Sequence, residues 1–187
     1  VPSIAIDDQG NKWIGTIDGM AKFDSTNWTV YDESNSGLPG NYIYDITIDS
    51  QGNKWIGSAG QFFSGIAKFN GTNWTTYDAS NSGLPDKGVL SITIDDLGNK
   101  WIGTWGGGMA RFDDTNCIVY NNSNSGLPDD DVYSIDVNDQ GDKWIGTAGG
   151  LSVFNKDGVS IGEIQQNKNN ITIYPNPVND HLNIETL

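Results

Sequence analysis

Short apolar segments alternate with turns rich in glycine and asparagine along most of this chain. The clearest succession runs from Tyr42 to Tyr77, where four such segments follow one another: YIYDITI, KWIG, GIAKF and WTTY. Segments of this length, rich in β-branched and aromatic residues and bounded by turn residues, predict strands joined by hairpins. The chain is therefore predicted to be all-β, with short antiparallel strands.

This pattern is written four times. The stretch DDQGNKWIGT from Asp7 returns as DSQGNKWIGS from Asp49, DDLGNKWIGT from Asp95 and NDQGDKWIGT from Asn138. Copies of one motif that recur at a nearly constant spacing indicate a repeat architecture. A four-stranded sheet of about 40 residues has two apolar faces, and stacking such sheets around an axis buries both. A β-propeller of four-stranded antiparallel blades is predicted. A right-handed β-helix is rejected because its coils are shorter and lack hairpins between all strands.

The predicted propeller covers residues 1–158, with blades at about 1–40, 41–87, 88–130 and 131–164. The last blade has only a weak candidate for its fourth strand, Val159 to Ile164. Residues 165–170 are polar and predict a linker. Residues 171–187 alternate around a Pro-Asn-Pro turn and predict the opening strands of another β domain. About four blades are expected here, as part of a larger disc, with both ends truncated.

The tryptophan of the repeat is predicted to pack blade against blade. The glycine two positions later is expected to make room for a neighbouring side chain or backbone. These structural residues are Trp13, Trp55, Trp101 and Trp144, with Gly15, Gly57, Gly103 and Gly146. In the third blade, Cys117 replaces the tryptophan of the fourth strand and is interpreted as a small apolar filler.

Charge and composition narrow the possible partners. A net charge of −14 and a pI near 4.1 argue against nucleic acid and against an anionic membrane surface. No apolar run approaches the roughly 20 residues of a membrane-spanning helix, so no transmembrane segment is predicted. The single cysteine excludes a disulfide framework within the chain.

The repeated acids invite a metal hypothesis. Asp7, Asp49, Asp95 and Asp139 resemble calcium ligands, but the loop lacks the alternating acidic spacing that wraps this cation. An Asx-type turn, in which the carboxylate accepts backbone N–H bonds, is the preferred explanation. No metal and no cofactor are predicted.

Catalytic motifs are sparse, and no catalytic residue is predicted. The one histidine, His181, lies in the tail, so a nucleophile–histidine pair cannot be assembled in the propeller. Acids on separate blades could still converge as a carboxylate pair. A propeller enzyme acting on polysaccharide therefore stays open as an alternative.

The loops between second and third strands differ among the four copies, whereas the framework repeats. Large aromatic side chains occur there among glycines, and aromatic platforms beside polar groups suit sugar rings or extended peptides. Packing at the end of the blade interface is the competing explanation. The candidate ligand-binding residues are Phe62, Phe63, Trp105, Asp18 and Gln61.

The DxxGNKWIGTxxGxAKFD pattern, between about Ile4 and Phe154, resembles the two-component regulator propeller repeat. That repeat occurs in periplasmic sensor halves of hybrid histidine kinases and in secreted proteins of Bacteroidetes. The ending ITIYPNPVNDHLNIE, from Ile171 to Glu185, resembles the start of the type A C-terminal sorting domain of the type IX secretion system. This resemblance implies export, with the type IX machinery as a partner.

These observations favour a secreted or outer-surface anchored binding module whose ligand is an extracellular polysaccharide or a protein. The alternatives are the propeller enzyme, the periplasmic sensor domain of a hybrid histidine kinase, and a repeat spacer that displays another domain. The resemblance of the tail argues against the sensor, which would need a membrane span and kinase domains.

Overall fold

The computed structural model describes residues 2–59, 65–85, 88–155 and 158–161. They form four antiparallel sheets of four strands each. The first sheet contains β1 (Ser3–Ile6), β2 (Lys12–Thr16), β3 (Gly19–Phe23) and β4 (Trp28–Tyr31). The second contains β5 (Tyr42–Ile48), β6 (Lys54–Ala59), β7 (Gly65–Phe69) and β8 (Trp74–Tyr77). The third contains β9 (Val89–Ile94), β10 (Lys100–Thr104), β11 (Met109–Phe112) and β12 (Cys117–Tyr120). The fourth contains β13 (Val132–Val137), β14 (Lys143–Thr147), β15 (Gly150–Asn155) and β16 (Gly158–Ile161).

The sheets are the blades of a β-propeller. Within each sheet the strands follow the order of the chain. The first strand of each sheet contacts the first strand of the next: β1 contacts β5, β5 contacts β9, and β9 contacts β13. First strands therefore converge at an inner edge and fourth strands lie at the outer rim. The predicted all-β propeller fold is confirmed.

Neighbouring blades are joined at this inner edge by a repeated hydrogen bond. An isoleucine N–H of one blade donates to a side-chain oxygen of the blade before it, because a first strand has no pairing partner on that side. The donor and acceptor are Ile46 and Ser3 Oγ (3.0 Å), Ile92 and Asp45 Oδ2 (2.7 Å), and Ile135 and Ser91 Oγ (3.2 Å). The bond thus fixes each blade against the next.

The second strand approaches the next blade at its glycine. A Cβ added to Gly57 would lie 2.7 Å from Cγ1 of Val89, closer than packed carbon atoms come. Gly15 stands in the same relation to Ile43, and Gly103 to Val132, at 2.7 and 2.8 Å. Glycine at this position lets the first strand of one blade pack against the second strand of the preceding blade.

The second-strand tryptophans of the first three blades are buried against an aromatic residue of the following blade. Trp55, for example, is 0% exposed and meets Phe112 edge-on, with ring centroids 6.4 Å apart. The other pairs across blades are Trp13 with Phe69 (5.9 Å) and Trp101 with Phe154 (5.0 Å). Such edge-to-face and tilted pairs add specific geometry to the burial of apolar area.

The outer faces of the first and fourth blades expose side chains whose equivalents inside the stack are buried or half-buried. Trp144 of the fourth blade is 44% exposed, in contrast to Trp55. On the first blade, Ile4 and Trp28 are each 61% exposed. These surfaces are the ones that a neighbouring blade covers elsewhere in the chain.

Two local details of the structure add to the prediction made from the sequence. The connector after the second blade contains one helical turn, α1 (Ala79–Ser82), which Asp78 caps. Cys117 pairs with Phe112 where Trp28 and Trp74 pair with their own phenylalanines, and it is half-buried. Burial raises the pKa of the Cys117 thiol to about 11.

The fourth strand of the last blade is β16 at Gly158–Ile161, and it pairs with β15. The linker at residues 165–170 and the tail at 171–187 lie outside the described residues.

Candidate functional site

Successive turns alternate between the two ends of the strands and so define two faces of the disc. We call the connector face the one formed by the turns between second and third strands together with the connectors between blades. The hairpin face is the opposite one, formed by the DxxGN hairpins between first and second strands and the turns between third and fourth strands.

Backbone hydrogen bonds join the turns of the connector face to the connectors. Gly19 N–H donates to the carbonyl of Asn41 at 2.8 Å, and Trp105 N–H donates to the carbonyl of Gly88 at 2.9 Å. Gly108 N–H donates to Asp130 O at 2.9 Å in the same way. The turns of the first and third blades are therefore held in place rather than extended freely into solvent.

Trp105 is an aromatic residue that this face presents to solvent. Its side chain is 58% exposed, in a turn whose Gly106 and Gly108 have φ values of 74° and 80°. A Cβ at Gly108 would lie 2.1 Å from the carbonyl oxygen of Tyr120, so only glycine fits there. A fixed backbone thus carries an exposed indole, the arrangement of a binding platform.

The other predicted ligand-binding residues are placed only in part. Asp18 is exposed on the same face as Trp105, two blades away, and its N–H donates to Thr16 Oγ1 at 3.0 Å. Gln61, Phe62 and Phe63 lie outside the described residues.

On the hairpin face, the aspartate that opens the hairpin in each of the first three blades anchors the tryptophan of its own blade. The Asp95 carboxylate accepts bonds from Leu97 N–H (3.1 Å), Asn99 N–H (2.9 Å) and Trp101 Nε1–H (2.8 Å). Burial opposes ionisation of this carboxyl, but the bonds from Trp101 and Asn99 outweigh burial, so the pKa of Asp95 lies below its ordinary value. Asp7 and Asp49 make the same set of bonds. These acids close an Asx-type turn and fix the indole.

The lysine of the following blade covers the anchored indole. Lys54 Nζ lies 4.7 Å from the Trp13 ring centroid and 3.5 Å from Asp7 Oδ2. Lys143 Nζ lies 4.6 Å from the Trp101 ring and 3.6 Å from Asp95 Oδ2. A cation over an aromatic face is attracted by the ring, more strongly where water is excluded.

The blades enclose grooves on the hairpin face. We call the one between the first and second blades groove 1–2. It has a volume of about 670 Å³ and is lined by both hairpins, with Lys22, Lys54 and Tyr31 among its walls. A groove of about 510 Å³ lies between the third and fourth blades, with Arg111 and Lys143 in its wall. Both are large enough for one or two sugar rings.

Sequence reasoning missed the grooves because it treated the DxxGNKW motif as framework only. The available signal was the lysine before each tryptophan, a charged residue repeated on a strand that is otherwise apolar. Across the described parts of the chain, no group of three or more His, Cys, Asp or Glu side chains is arranged to hold a metal ion.

Comparison with known proteins agrees with this architecture. Residues 37–60 match the family model described as Two component regulator propeller. No curated protein matches the chain.

Several solved structures share the fold. One is the extracellular domain of a protein assigned as a hybrid two component system of B. thetaiotaomicron, with a TM-score of 0.71 and 22% identity. The match covers 100% of this chain and 26% of that one. Virginiamycin B lyase from Staphylococcus aureus has a TM-score of 0.64 and 19% identity, over 84% of this chain and 53% of that chain. PorZ, a surface component of the type-IX secretion system of Porphyromonas gingivalis, has a TM-score of 0.61 and 20% identity, over 94% and 28%.

The chain thus spans about a quarter to a half of the length of these proteins, and likeness at this identity establishes the propeller fold. The resemblance to the regulator propeller repeat is supported by the family match and by the first of these structures. Within the described ranges, no helix is long and apolar enough to cross a membrane.

Proposed function

We propose that the chain is an extracellular binding module that uses its connector face to hold a polysaccharide or a protein. The single observation that carries the proposal is Trp105, a half-exposed indole on a hydrogen-bonded glycine turn. A rigid turn holds this large apolar side chain in water. A ligand that covers it removes apolar surface from water, which lowers the free energy of the complex. Asp18 lies on the same face, and Gln61, Phe62 and Phe63 are proposed as part of this surface because the sequence places them between β6 and β7.

An extracellular location is supported by two neighbours in fold, an extracellular domain and a bacterial surface component. Exposed aromatic side chains among polar turns are common in modules that bind sugars or peptides, which agrees with the proposed binding role.

The binding proposal is tested by substitution on the two faces. A panel of extracellular polysaccharides and surface proteins is screened with the unaltered chain, and the responding ligand is titrated against Trp105→Ala. We expect the affinity to fall at least tenfold. Leu97→Ala is the matched control, because Leu97 is 86% exposed on the hairpin face. If Trp105→Ala, Phe62→Ala and Phe63→Ala all leave binding unchanged, the connector face is not the site.

We also propose that residues 171–187 engage the type IX secretion machinery. The support is the YPNP and LNI pattern around Tyr174 and Leu182. In a host that has this system, the unaltered chain should reach the medium or the cell surface, whereas Tyr174→Ala combined with Pro175→Ala should stay in the periplasm. Equal export of both forms would refute a role for this motif.

The second candidate is the input domain of a hybrid two-component system. The match at residues 37–60 and the fold likeness to one such extracellular domain favour it. Fractionation separates the candidates, because a sensor is recovered with the inner membrane and an exported module with the outer surface or the medium.

A further inference from the structure

The interface between the second and third blades shows how the hairpin face holds a carboxylate. Lys68 and Lys100 both lie over the Trp55 ring, with Nζ at 4.8 and 4.2 Å from its centroid. The Asp114 carboxylate lies between them, with Oδ2 at 3.2 Å from Lys68 Nζ and Oδ1 bonded to Lys100 Nζ. Asp114 belongs to the turn between β11 and β12 and enters the interface from the third blade.

Groove 1–2 contains the same two lysines without this acid. Lys22 and Lys54 lie over the Trp13 ring, with Nζ at 5.4 and 4.7 Å. The residue equivalent to Asp114 is Gly71, because each is the second residue after the phenylalanine that ends the third strand. A Cβ on Gly71 would meet no atom within 4 Å, so the space that Asp114 fills in one interface is open in the other.

We propose that groove 1–2 binds the carboxylate of a ligand between Lys22 and Lys54, where Asp114 supplies that carboxylate one interface further on. The ligand is a saccharide that carries an isolated uronic acid. This site lies on the face opposite Trp105 and does not depend on the function proposed for the connector face.

The lysine from the second strand makes different contacts in the two interfaces. In groove 1–2, Lys54 Nζ donates to the Gly52 carbonyl of its own hairpin at 2.9 Å and lies 3.5 Å from Asp7 Oδ2 of the preceding blade. In the second interface, the equivalent Lys100 is bonded to Asp114. Lys54 is more than nine-tenths buried, so a carboxylate that it meets is largely screened from water. Incoming carboxylate can therefore draw Lys54 from Asp7 as Asp114 draws Lys100.

The acids nearby do not prevent this. Asp7 and Asp49 border groove 1–2, and each is saturated by hydrogen bonds from its own hairpin. The second interface has the equivalent pair, Asp49 and Asp95, and still holds Asp114. Asp8 adds one exposed charge at the edge of groove 1–2. Together with the net charge of −14, this favours a ligand with one carboxylate over a polyanion.

The rest of the lining suits a sugar ring. Amide side chains of Gln9, Gln51 and Asn70 border the groove and can exchange hydrogen bonds with hydroxyl groups. The ring of Tyr31 contributes an aromatic wall. A volume of about 670 Å³ accommodates a disaccharide. An acidic peptide carries several charges in most sequences, which the negative chain disfavours.

The test is a titration of the full chain with three probes. Binding is measured by calorimetry and by the indole N–H resonance of Trp13. The probes are a glucuronate-containing disaccharide, its neutral glucose analogue, and a short peptide with a single glutamate. We expect the uronate disaccharide to bind and to shift the Trp13 signal, with at least tenfold weaker binding of the neutral analogue and of the peptide.

Gly71→Asp should reduce binding of the uronate at least tenfold, because it supplies the internal carboxylate without removing a lysine. Gly71→Asn is the matched control: it has nearly the same size and tolerates the left-handed backbone, where Gly71 has a φ of 97°. It should keep substantially more binding than Gly71→Asp.

The reciprocal change opens a new site. Asp114→Gly should free Lys68 and Lys100, so that the uronate now also shifts the indole signal of Trp55, whereas Asp114→Asn should leave Trp55 unresponsive. Absence of uronate binding, equal binding of the neutral analogue, or equal affinity of Gly71→Asp and Gly71→Asn would overturn the carboxylate site. Preferred binding of the glutamate peptide would overturn the assignment to a saccharide.

Discussion

At the scale of single residues, the chain depends on a few carboxylates that each satisfy several donors. Asp95 is buried, yet it stays ionised because backbone, amide and indole N–H groups all point at it. Its pKa is lowered although burial acts in the opposite direction. A carboxylate in such a position contributes stability only while it carries its charge.

Asp95→Asn should lower the free energy of unfolding by about 1–3 kcal/mol, since donors that faced a charge then face a neutral amide. Chemical denaturation at pH 7 measures this. The control is Asp96→Asn, which makes the same charge change one residue away on an exposed side chain and should cost less than about 0.5 kcal/mol. Equal losses would contradict the specific role of Asp95.

The pH dependence follows from the same group. A lowered folded pKa means that the stabilisation is fully present above the ordinary value of 3.8 and is lost as the pH falls through the folded value. The unaltered chain should therefore lose stability progressively below about pH 4, and Asp95→Asn should lose less over that range. A thermal unfolding series between pH 2 and 7 makes the comparison.

At the scale of strands and blades, the second strand acts as the packing surface for the next blade. Gly57 is the point of closest approach, facing Val89 of β9. Gly146 occupies the same position in the fourth blade, where an added Cβ would crowd the exposed Ser134 Oγ at 2.7 Å. The same residue type in the same motif is thus constrained to different degrees.

Gly57→Ala should destabilise the chain by about 1–3 kcal/mol, because the methyl group overlaps a packed valine. Gly146→Ala should cost clearly less, since a single exposed hydroxyl can rotate away. Adding Val89→Ala to Gly57→Ala should recover part of the loss, and a double-mutant cycle from urea denaturation measures that coupling. Additive losses would show that the two residues do not press against each other.

Most of the element layout could be predicted from the sequence, because each strand is bounded by turn residues and the fourfold repetition averages out local ambiguity. The strand at Lys12–Thr16 is an example, with Gly10 before it in a tight hairpin. What could not be predicted is long-range. The sequence around Lys54 and around Gly71 does not show that these two residues border one groove, because the groove forms only when two blades stack. The role of Trp105 in binding stays a prediction, as does the contribution of Phe62 and Phe63.

At the scale of the whole molecule, the inner edge connects blades in series. Asp45 holds three of them, because Oδ1 accepts from Ser3 Oγ of the first blade at 3.1 Å and Oδ2 accepts from Ile92 N–H of the third at 2.7 Å. Ser3 and Ser91 make the equivalent bond with a hydroxyl. Blade geometry, and hence both faces, depends on this line of contacts.

Asp45→Ala should therefore lower the free energy of unfolding by about 1–3 kcal/mol, because the buried Ile92 N–H loses its acceptor. Asp45→Ser reproduces the residue found at the equivalent positions and should retain part of this stability. Denaturant titration of the three proteins decides, and a serine variant as weak as the alanine variant would argue against a shared hydrogen bond.

Both proposed sites require that the repeated tryptophans lie sealed between consecutive blades. The most direct test is hydrogen exchange of the tryptophan indole N–H groups, measured by nuclear magnetic resonance on the full chain. Trp13, Trp55 and Trp101 are bonded to buried or half-buried carboxylates and should exchange slowly. Trp144, whose hairpin has Asn138 in place of aspartate and which is 44% exposed, should exchange fast, together with Trp28 and Trp105. Exchange at one common rate for all of them would contradict the stacked-blade arrangement.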